Sequence, residues 1–118
     1  AALHARAATP EDTDWKEIEQ LYAALERRSP SPVVTLNRAV AVSKTEGAEA
    51  ALQMIEPLAV KLSGYFYYHG ARGALLKQLG RTSEARCAFD QAISLAGTVA
   101  EAAHIRQQLD QMTGLEKN

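Results

Sequence analysis

Residues 82–97 read TSEARCAFDQAISLAG, and their apolar positions give the clearest indication of fold in the chain. Ala85, Phe89 and Ala92 are four and then three residues apart, a spacing that places their side chains on one face of a helix. The same spacing occurs twice earlier in the chain, in the sets Ala51, Ile55, Leu58 and Ile18, Tyr22, Leu25. A helical pattern that recurs at a fixed interval predicts a repeat protein.

The interval between successive sets, about 34 residues, is typical of tetratricopeptide repeats, each of which is a hairpin of two helices. One hairpin cannot bury its apolar face alone, so neighbouring hairpins stack on one another. We therefore predict an all-α fold: a tetratricopeptide-like, right-handed stack of helical hairpins with about seven helices, including a truncated first helix and a C-terminal capping helix. The predicted single domain, 1–118, comprises repeats 1–31, 32–64 and 65–97 and a capping helix, 98–112. Because the sequence opens inside a predicted helix, we expect it to be a fragment of a longer protein.

Capping residues and prolines set the expected helix ends. Asp14, three residues before Glu17, is placed to accept a hydrogen bond from the first turn of a helix. Ser31 followed by Pro32 is a typical helix start, and Pro57 is expected to end or kink the helix that contains it. We expect helices over about 1–8, 15–28, 32–44, 65–79, 82–96 and 99–112. A further helix is expected to begin near residue 47 and to end somewhere between residues 57 and 62.

The composition excludes several classes of function. The 13 basic and 14 acidic side chains form no basic stripe of the kind that binds nucleic acids. The single cysteine, Cys87, excludes an internal disulfide and suits a reducing cytoplasm. His4, His69 and His104 fall in different repeats, too far apart to share a metal ion. We find no catalytic constellation, phosphate loop, signal peptide or membrane-length apolar run, and so predict a cytoplasmic protein that is not an enzyme and uses no cofactor.

Three stretches carry a family likeness: HARAATPEDTDWKEIEQLYAAL at 4–25, SPSPVVTLNRAVAV at 29–42 and GYFYYHGARGALLKQLGRTSEA at 64–85. Together they resemble the C-terminal extension of one group of bacterial extracytoplasmic-function sigma factors. The second stretch is the specific one, whereas the LGRTSEA part of the third is common to many tetratricopeptide proteins. In that group, a tetratricopeptide-like domain follows the two sigma regions that read DNA and bind RNA polymerase.

The resemblance implies a regulatory domain that acts in transcription initiation. It implies contacts with the sigma regions of the same protein or with RNA polymerase, and contact with DNA only through those sigma regions, which this sequence lacks. In such proteins the attached domain is similar in role to a separate membrane anti-sigma factor. The alternative, from the repeats alone, is an independent tetratricopeptide adaptor that captures a peptide segment of another protein. Neither alternative requires a membrane.

The binding surface of stacked hairpins is expected along the first helix of each hairpin. We predict a partner-binding groove made of Leu36, Asn37, Arg38, Val40, Lys44, Tyr67, Arg72, Ala74, Lys77 and Gln78. Arg38 and Arg72 lie one repeat apart, at positions where tetratricopeptide units normally bury a leucine. Their guanidinium groups either bind a carboxylate of the partner or pair inside the domain, with the candidate partners Glu17, Glu19, Glu49 and Glu84. We favour the internal pairing.

Two further features have more than one interpretation. Asn37 holds a position that helps to clamp a peptide carboxylate in chaperone-binding tetratricopeptide domains. Tyr67 and Ala71 replace the basic residues of that clamp, so we favour hydrogen bonding of Asn37 within the groove or between helices. The aromatic run at 65–68 covers every side of a helix, so its members divide between candidate core residues and candidate interface contacts.

Overall fold

The computed structural model of the protein describes the backbone of residues 14–117 and the side chains of residues 14–113. Six α-helices follow one another in this part of the chain, which contains no β-strand. They are α1 (Trp15–Arg28), α2 (Pro32–Thr45), α3 (Ala48–Ile55), α4 (Phe66–Gln78), α5 (Thr82–Leu95) and α6 (Val99–Lys117). The all-α class is thus confirmed, and the predicted truncated helix at 1–8 lies outside the described residues.

The helices form a stack of hairpins. Each helix packs against the next one along the chain, and α4 also contacts both α2 and α6. Helices α2, α4 and α6 begin one repeat interval apart, and so do α1, α3 and α5. Helix α6 belongs to the series of α2 and α4, which are the first helices of their hairpins. It therefore occupies the position that the first helix of a further hairpin would have. None of the described helices has the length and apolar character needed to cross a lipid bilayer.

Local hydrogen bonds explain where the first two helices begin. Asp14 Oδ1 accepts a hydrogen bond from the Glu17 N–H at 3.0 Å, which satisfies one free donor at the start of α1. Ser31 Oγ accepts one from the Val33 N–H at 3.2 Å, and Pro32 is the first residue of α2. A proline suits that position because the first helical residue has no carbonyl partner for an N–H. Both predicted helix starts are therefore confirmed.

Two predicted helix ends are wrong. Helix α3 ends at Ile55, and a 3₁₀ turn (Glu56–Leu58) replaces the predicted continuation toward residue 62. Pro57 has no N–H, so the α-helical hydrogen-bond pattern cannot continue through it, and the expectation that Pro57 ends or kinks its helix is confirmed. Helix α6 extends to Lys117 instead of ending at residue 112. The Thr113 hydroxyl donates to the Leu109 carbonyl inside α6, so this threonine is part of the helix and not the start of a tail.

The core lies between α4 and α5 and continues into the neighbouring helices. Phe89 of α5 is fully buried, as are the flanking residues Ala85 and Ala92, so the predicted helical face is confirmed. Gly73 of α4 lies directly against the Phe89 ring. A Cβ atom at Gly73 would be 2.6 Å from the ring carbons, which means that the glycine is what allows the two helices to approach so closely.

Helix α1 buries less of its apolar face than the sequence predicts. Ile18 is buried and packs on Ala41 of α2, whereas Trp15 and Tyr22 are only half-buried. Leu25, also predicted to face inward, is 44% exposed. Among the described elements, α1 packs mainly against one helix, α2, whereas α3 and α5 each pack against two. Helix α1 therefore has less neighbouring structure to cover its apolar side chains.

Candidate functional site

A groove with a cavity volume of about 520 Å³ runs along α2, α4 and α6. Its wall is mostly apolar and contains several aromatic rings. The lining residues are Leu36, Asn37, Val40, Tyr65, Phe66, Tyr67, Gly70, Ala71, Ala74, Phe89, His104, Ile105 and Gln108. The size and the lining are those of a binding cleft.

The wall residues follow the repeat interval. Positions on α2 recur on α4 and α6, one and two repeats later, in the sets Leu36, Gly70, His104, then Asn37, Ala71, Ile105, then Val40, Ala74, Gln108. The middle member of each set is glycine or alanine, so α4 offers almost no side-chain volume at the centre of the groove. Larger side chains of α2 and α6 line the groove on either side of α4.

Aromatic rings line the groove at the start of α4. The Phe66 and Tyr67 rings meet edge to face, with centroids 5.0 Å apart, and the Tyr65 and Tyr67 centroids are 5.6 Å apart. Tyr67 is 55% exposed, and its hydroxyl donates to Glu101 Oε2 of α6 at 3.1 Å. That hydrogen bond, together with the negative charge of Glu101, raises the pKa of Tyr67 above its ordinary value.

The other members of the aromatic run have different roles. Tyr68 is 2% exposed and belongs to the core, where burial raises the pKa of its hydroxyl. His69 is buried beside it, with its Nε2 atom 2.7 Å from the Ser63 carbonyl oxygen. The run at 65–68 thus divides into one core residue and three groove residues.

Five of the ten predicted groove residues line the groove, and these are Leu36, Asn37, Val40, Tyr67 and Ala74. The other five do not line it: Arg38, Lys44, Arg72, Lys77 and Gln78. All five have long side chains. The position of such a residue in the repeat does not determine where the end of its side chain lies.

Arg38 connects α2 to α1. Its Nε atom donates to Glu19 at 3.0 Å and a terminal nitrogen donates to Glu26 at 3.2 Å. The Thr35 hydroxyl also donates to Glu26, so two side chains of α2 hold this carboxylate in place. The hydrogen bond to Glu19 raises the pKa of Arg38, with smaller contributions from both negative charges. These contacts favour the internal pairing over a carboxylate of a partner, and Glu19 is one of the predicted partners.

Arg72 is also paired inside the domain, although with a residue that was not among the predicted partners. Its Nε atom donates to Glu56 Oε1 at 3.0 Å, in the turn that follows α3. Of the remaining predicted partners, Glu84 binds Arg81 at 2.6 and 2.8 Å, within one turn of the chain.

Replacing Arg38 with alanine is expected to lower the free energy of unfolding by about 0.5–1 kcal/mol, because a partly exposed ion pair is weakened by solvent. Urea unfolding followed by circular dichroism measures the change. Arg106→Ala, at an exposed arginine of α6, is the matched control and should differ from the parent by less than about 0.5 kcal/mol. An Arg38→Ala variant as stable as the control, but unable to bind a partner, would contradict the structural role.

The other three predicted residues that do not line the groove lie beside it or away from it. Lys77 donates to Gln108 Oε1 at 2.9 Å and also to Gln111, so it ties α4 to α6 beside the groove. Lys44 lies over the Trp15 ring, with its Nζ atom 5.7 Å from the centroid. Gln78 is exposed at the last residue of α4.

Eight of the lining residues were not predicted from the sequence to lie in the groove, namely Tyr65, Phe66, Gly70, Ala71, Phe89, His104, Ile105 and Gln108. The repeat interval could have identified part of this set. The positions one and two repeats after Leu36, Asn37 and Val40 are six residues of α4 and α6, and all six line the groove. The residues of α6 were missed because a capping helix was not expected to line a binding surface.

Comparison with known proteins finds a bacterial relative. The chain is 72% identical, over 112 residues, to an uncharacterized protein of Rhizobium meliloti (strain 1021). The match covers 95% of this chain but 26% of the relative, so the chain spans about a quarter of that protein. No protein-family model matches the chain. No solved structure matches it either.

Proposed function

We propose that this chain is the C-terminal regulatory domain of a bacterial extracytoplasmic-function sigma factor. In this proposal it works in the cytoplasm, during transcription initiation, by binding the sigma regions of its own protein or core RNA polymerase. The observation that carries the proposal is the resemblance of the three stretches at 4–25, 29–42 and 64–85 to such domains, and the groove along α2, α4 and α6 supports a role in binding a partner. The specific stretch of the family resemblance, at 29–42, contains most of α2 and thus one flank of this groove.

The chemistry of the groove supports a protein partner. Val40 is 38% exposed and Tyr67 is 55% exposed, and both project from the groove wall. Exposed aromatic and aliphatic side chains beside a depression are common anchors of protein interfaces. Helix-in-groove recognition uses such a surface, with apolar side chains of the incoming helix set into the groove. We therefore infer that the partner presents an apolar helical face.

The groove does not favour a peptide with a charged terminus. None of its described lining residues is a lysine, arginine, aspartate or glutamate. Lys77 lies beside the groove, where hydrogen bonds to Gln108 and Gln111 hold its ammonium group, and it is not one of the lining residues. Arg38 and Arg72, the cations nearest to this role by repeat position, are occupied by Glu19, Glu26 and Glu56.

The length of the Rhizobium meliloti relative is consistent with the proposal. The part that matches this chain is 26% of the relative, so most of that protein lies outside the match. Because the matching quarter already has the size of one domain, the remainder is long enough for at least two further domains. Sigma regions would fit within that length.

The proposal is tested with the full-length Rhizobium meliloti protein and core RNA polymerase. We expect the two to elute together in gel filtration and to start transcription from at least one promoter in vitro. Deleting the matching part of the relative should abolish or strongly reduce transcription, since the proposed domain is required for activity. A full-length protein that binds neither polymerase nor promoter DNA would contradict the sigma-factor proposal and favour the independent adaptor.

A further inference from the structure

We infer that the apolar face of α1 is a docking surface for the segment that precedes it in the same chain, residues 1–8. On this face Leu21 is 58% exposed, Leu25 is 44% exposed and Tyr22 is half-buried. Leu25 follows Leu21 by four residues and Tyr22 by three, so the three side chains share one side of the helix. None of them lines the groove along α2, α4 and α6, and the inference does not depend on the proposed function.

The equivalent face of α5 is fully covered. Two repeats after the three apolar residues of α1 come Ala88, Phe89 and Ala92, and none of these is more than 1% exposed. In α3, Ile55 holds the position of Tyr22 and is also fully buried. Because α3 and α5 each pack against the helix before and the helix after, while α1 packs mainly against α2, the neighbour that α1 lacks among the described elements is a helix that precedes it.

The opposite end of the described stack has a different surface. Arg106, Gln107 and Asp110 are exposed on α6, so its outer face is polar. A terminal helix with a polar outer face can end a stack of repeats, whereas exposed leucines that adjoin one another indicate a surface that binds further structure. The stack is therefore open for another helix at α1 and closed at α6.

The hairpin of α4 and α5 indicates how the preceding segment packs on α1. Gly73 of α4 lies against the Phe89 ring, and Ala39, one repeat before Gly73, is fully buried in α2. The residue one repeat before Ala39 is Ala5. A small residue at this position allows the first helix of a hairpin to approach the second closely, so Ala5 is expected against Tyr22.

The rest of the segment also fits this position by its sequence. Ala2, Ala5 and Ala8 follow one another at three-residue intervals, which places them on one side of a helix. They precede by one repeat three buried residues of α2, namely Leu36, Ala39 and Val42. Two residues separate α2 from α3, and three separate α4 from α5, so residues 9–14 are long enough for the equivalent turn. The segment itself lies outside the described residues.

A disulfide cross-link tests this placement. A Cβ atom at Gly73 would be 3.0 Å from Phe89 Cγ, so cysteines at the equivalent positions 5 and 22 are close enough to pair. In a Cys87→Ser chain, we expect Ala5→Cys with Tyr22→Cys to form an intramolecular disulfide in glutathione buffer at least tenfold more favourably than Ala5→Cys with Gln20→Cys. Gln20 is the matched control because it is exposed and lies on the opposite side of α1.

Mass spectrometry of the digested chain measures the two disulfides. Equal cross-linking of the two cysteine pairs would overturn the inference. A disulfide between positions 5 and 22 that forms only between two chains would also overturn it, in favour of a second copy as the occupant of the α1 face.

Amide hydrogen exchange of the chain without cysteine substitutions keeps the test decisive if the cysteine variants misfold. We expect the amides of residues 5–8 to exchange at least tenfold more slowly than in an unfolded chain. Leu21→Glu should remove this protection, because it places a charge on the docking surface. Gln20→Glu adds the same charge at the neighbouring exposed residue and should leave the protection unchanged. Unprotected amides at 5–8 in the parent chain, or equal exchange in the two variants, would overturn the inference.

Discussion

Replacing Phe89 with alanine is expected to lower the free energy of unfolding by about 3–5 kcal/mol. The Phe89 side chain is fully buried and is the largest of the fully buried side chains in the described chain. Its removal takes away apolar contacts with α4 and leaves a hole under the groove floor. Total stabilities of domains are about 5–15 kcal/mol, so this variant should be close to unfolding at physiological temperature.

Urea unfolding of Phe89→Ala, monitored by circular dichroism, measures this loss. Phe89→Leu is the matched variant and should be of intermediate stability, because leucine fills part of the same space. A loss below about 1 kcal/mol for the alanine variant would mean that the ring is not buried. In that case the assignment of Ala85, Phe89 and Ala92 to the inner face of α5 would be wrong.

Replacing Gly73 with alanine is expected to destabilise the protein by about 1–3 kcal/mol, although alanine is the better helix former. The added Cβ would lie 2.6 Å from the Cδ1 and Cε1 atoms of Phe89, which is closer than carbon atoms can approach. Either the ring must turn away or α4 must move outward, and both changes disturb the contact between α4 and α5.

Gly70→Ala is the matched control for Gly73→Ala, because both glycines lie in α4, one helical turn apart. At Gly70 the nearest atom to the added Cβ is Ile105 Cδ1 at 3.6 Å, so the helix preference of alanine is not opposed by a clash. We expect this variant to be more stable than the parent by up to about 1 kcal/mol. Melting temperatures that change in the same direction for the two variants would contradict the described packing of α4 on α5.

The fold could be predicted from sequence because it depends on periodic apolar residues. The recurrence of the Ala85, Phe89 and Ala92 pattern gave the helical class and the stacking of hairpins. Helix starts were also predictable, since Asp14 and Ser31 act through hydrogen bonds within one turn of the chain. The end of α6 was not, because a threonine hydroxyl can hydrogen-bond to the carbonyl four residues earlier inside a helix, as Thr113 does to Leu109, so Thr113 alone does not mark an end.

The site was predicted less completely than the fold. Leu36 and Val40 were placed in the groove because short side chains stay near their own helix face. Arg38 and Arg72 form the internal pairs that were favoured, but their partners Glu26 and Glu56 were not predicted, because a long side chain reaches whichever carboxylate the fold brings nearby. The inclusion of α6 required knowing that this helix packs beside α4, which only the structure provides.

The most direct test of the central claim is a calorimetric titration of the domain with the sigma regions that the proposal places in the same polypeptide, with core RNA polymerase as a second titrant. Val40→Glu puts a charge into the groove, and Val60→Glu puts the same charge on an 87% exposed residue outside it. The proposal predicts that the parent and Val60→Glu bind equally well, while Val40→Glu binds about tenfold or more weakly. Equal binding by all three proteins, or no binding to either titrant, would contradict it.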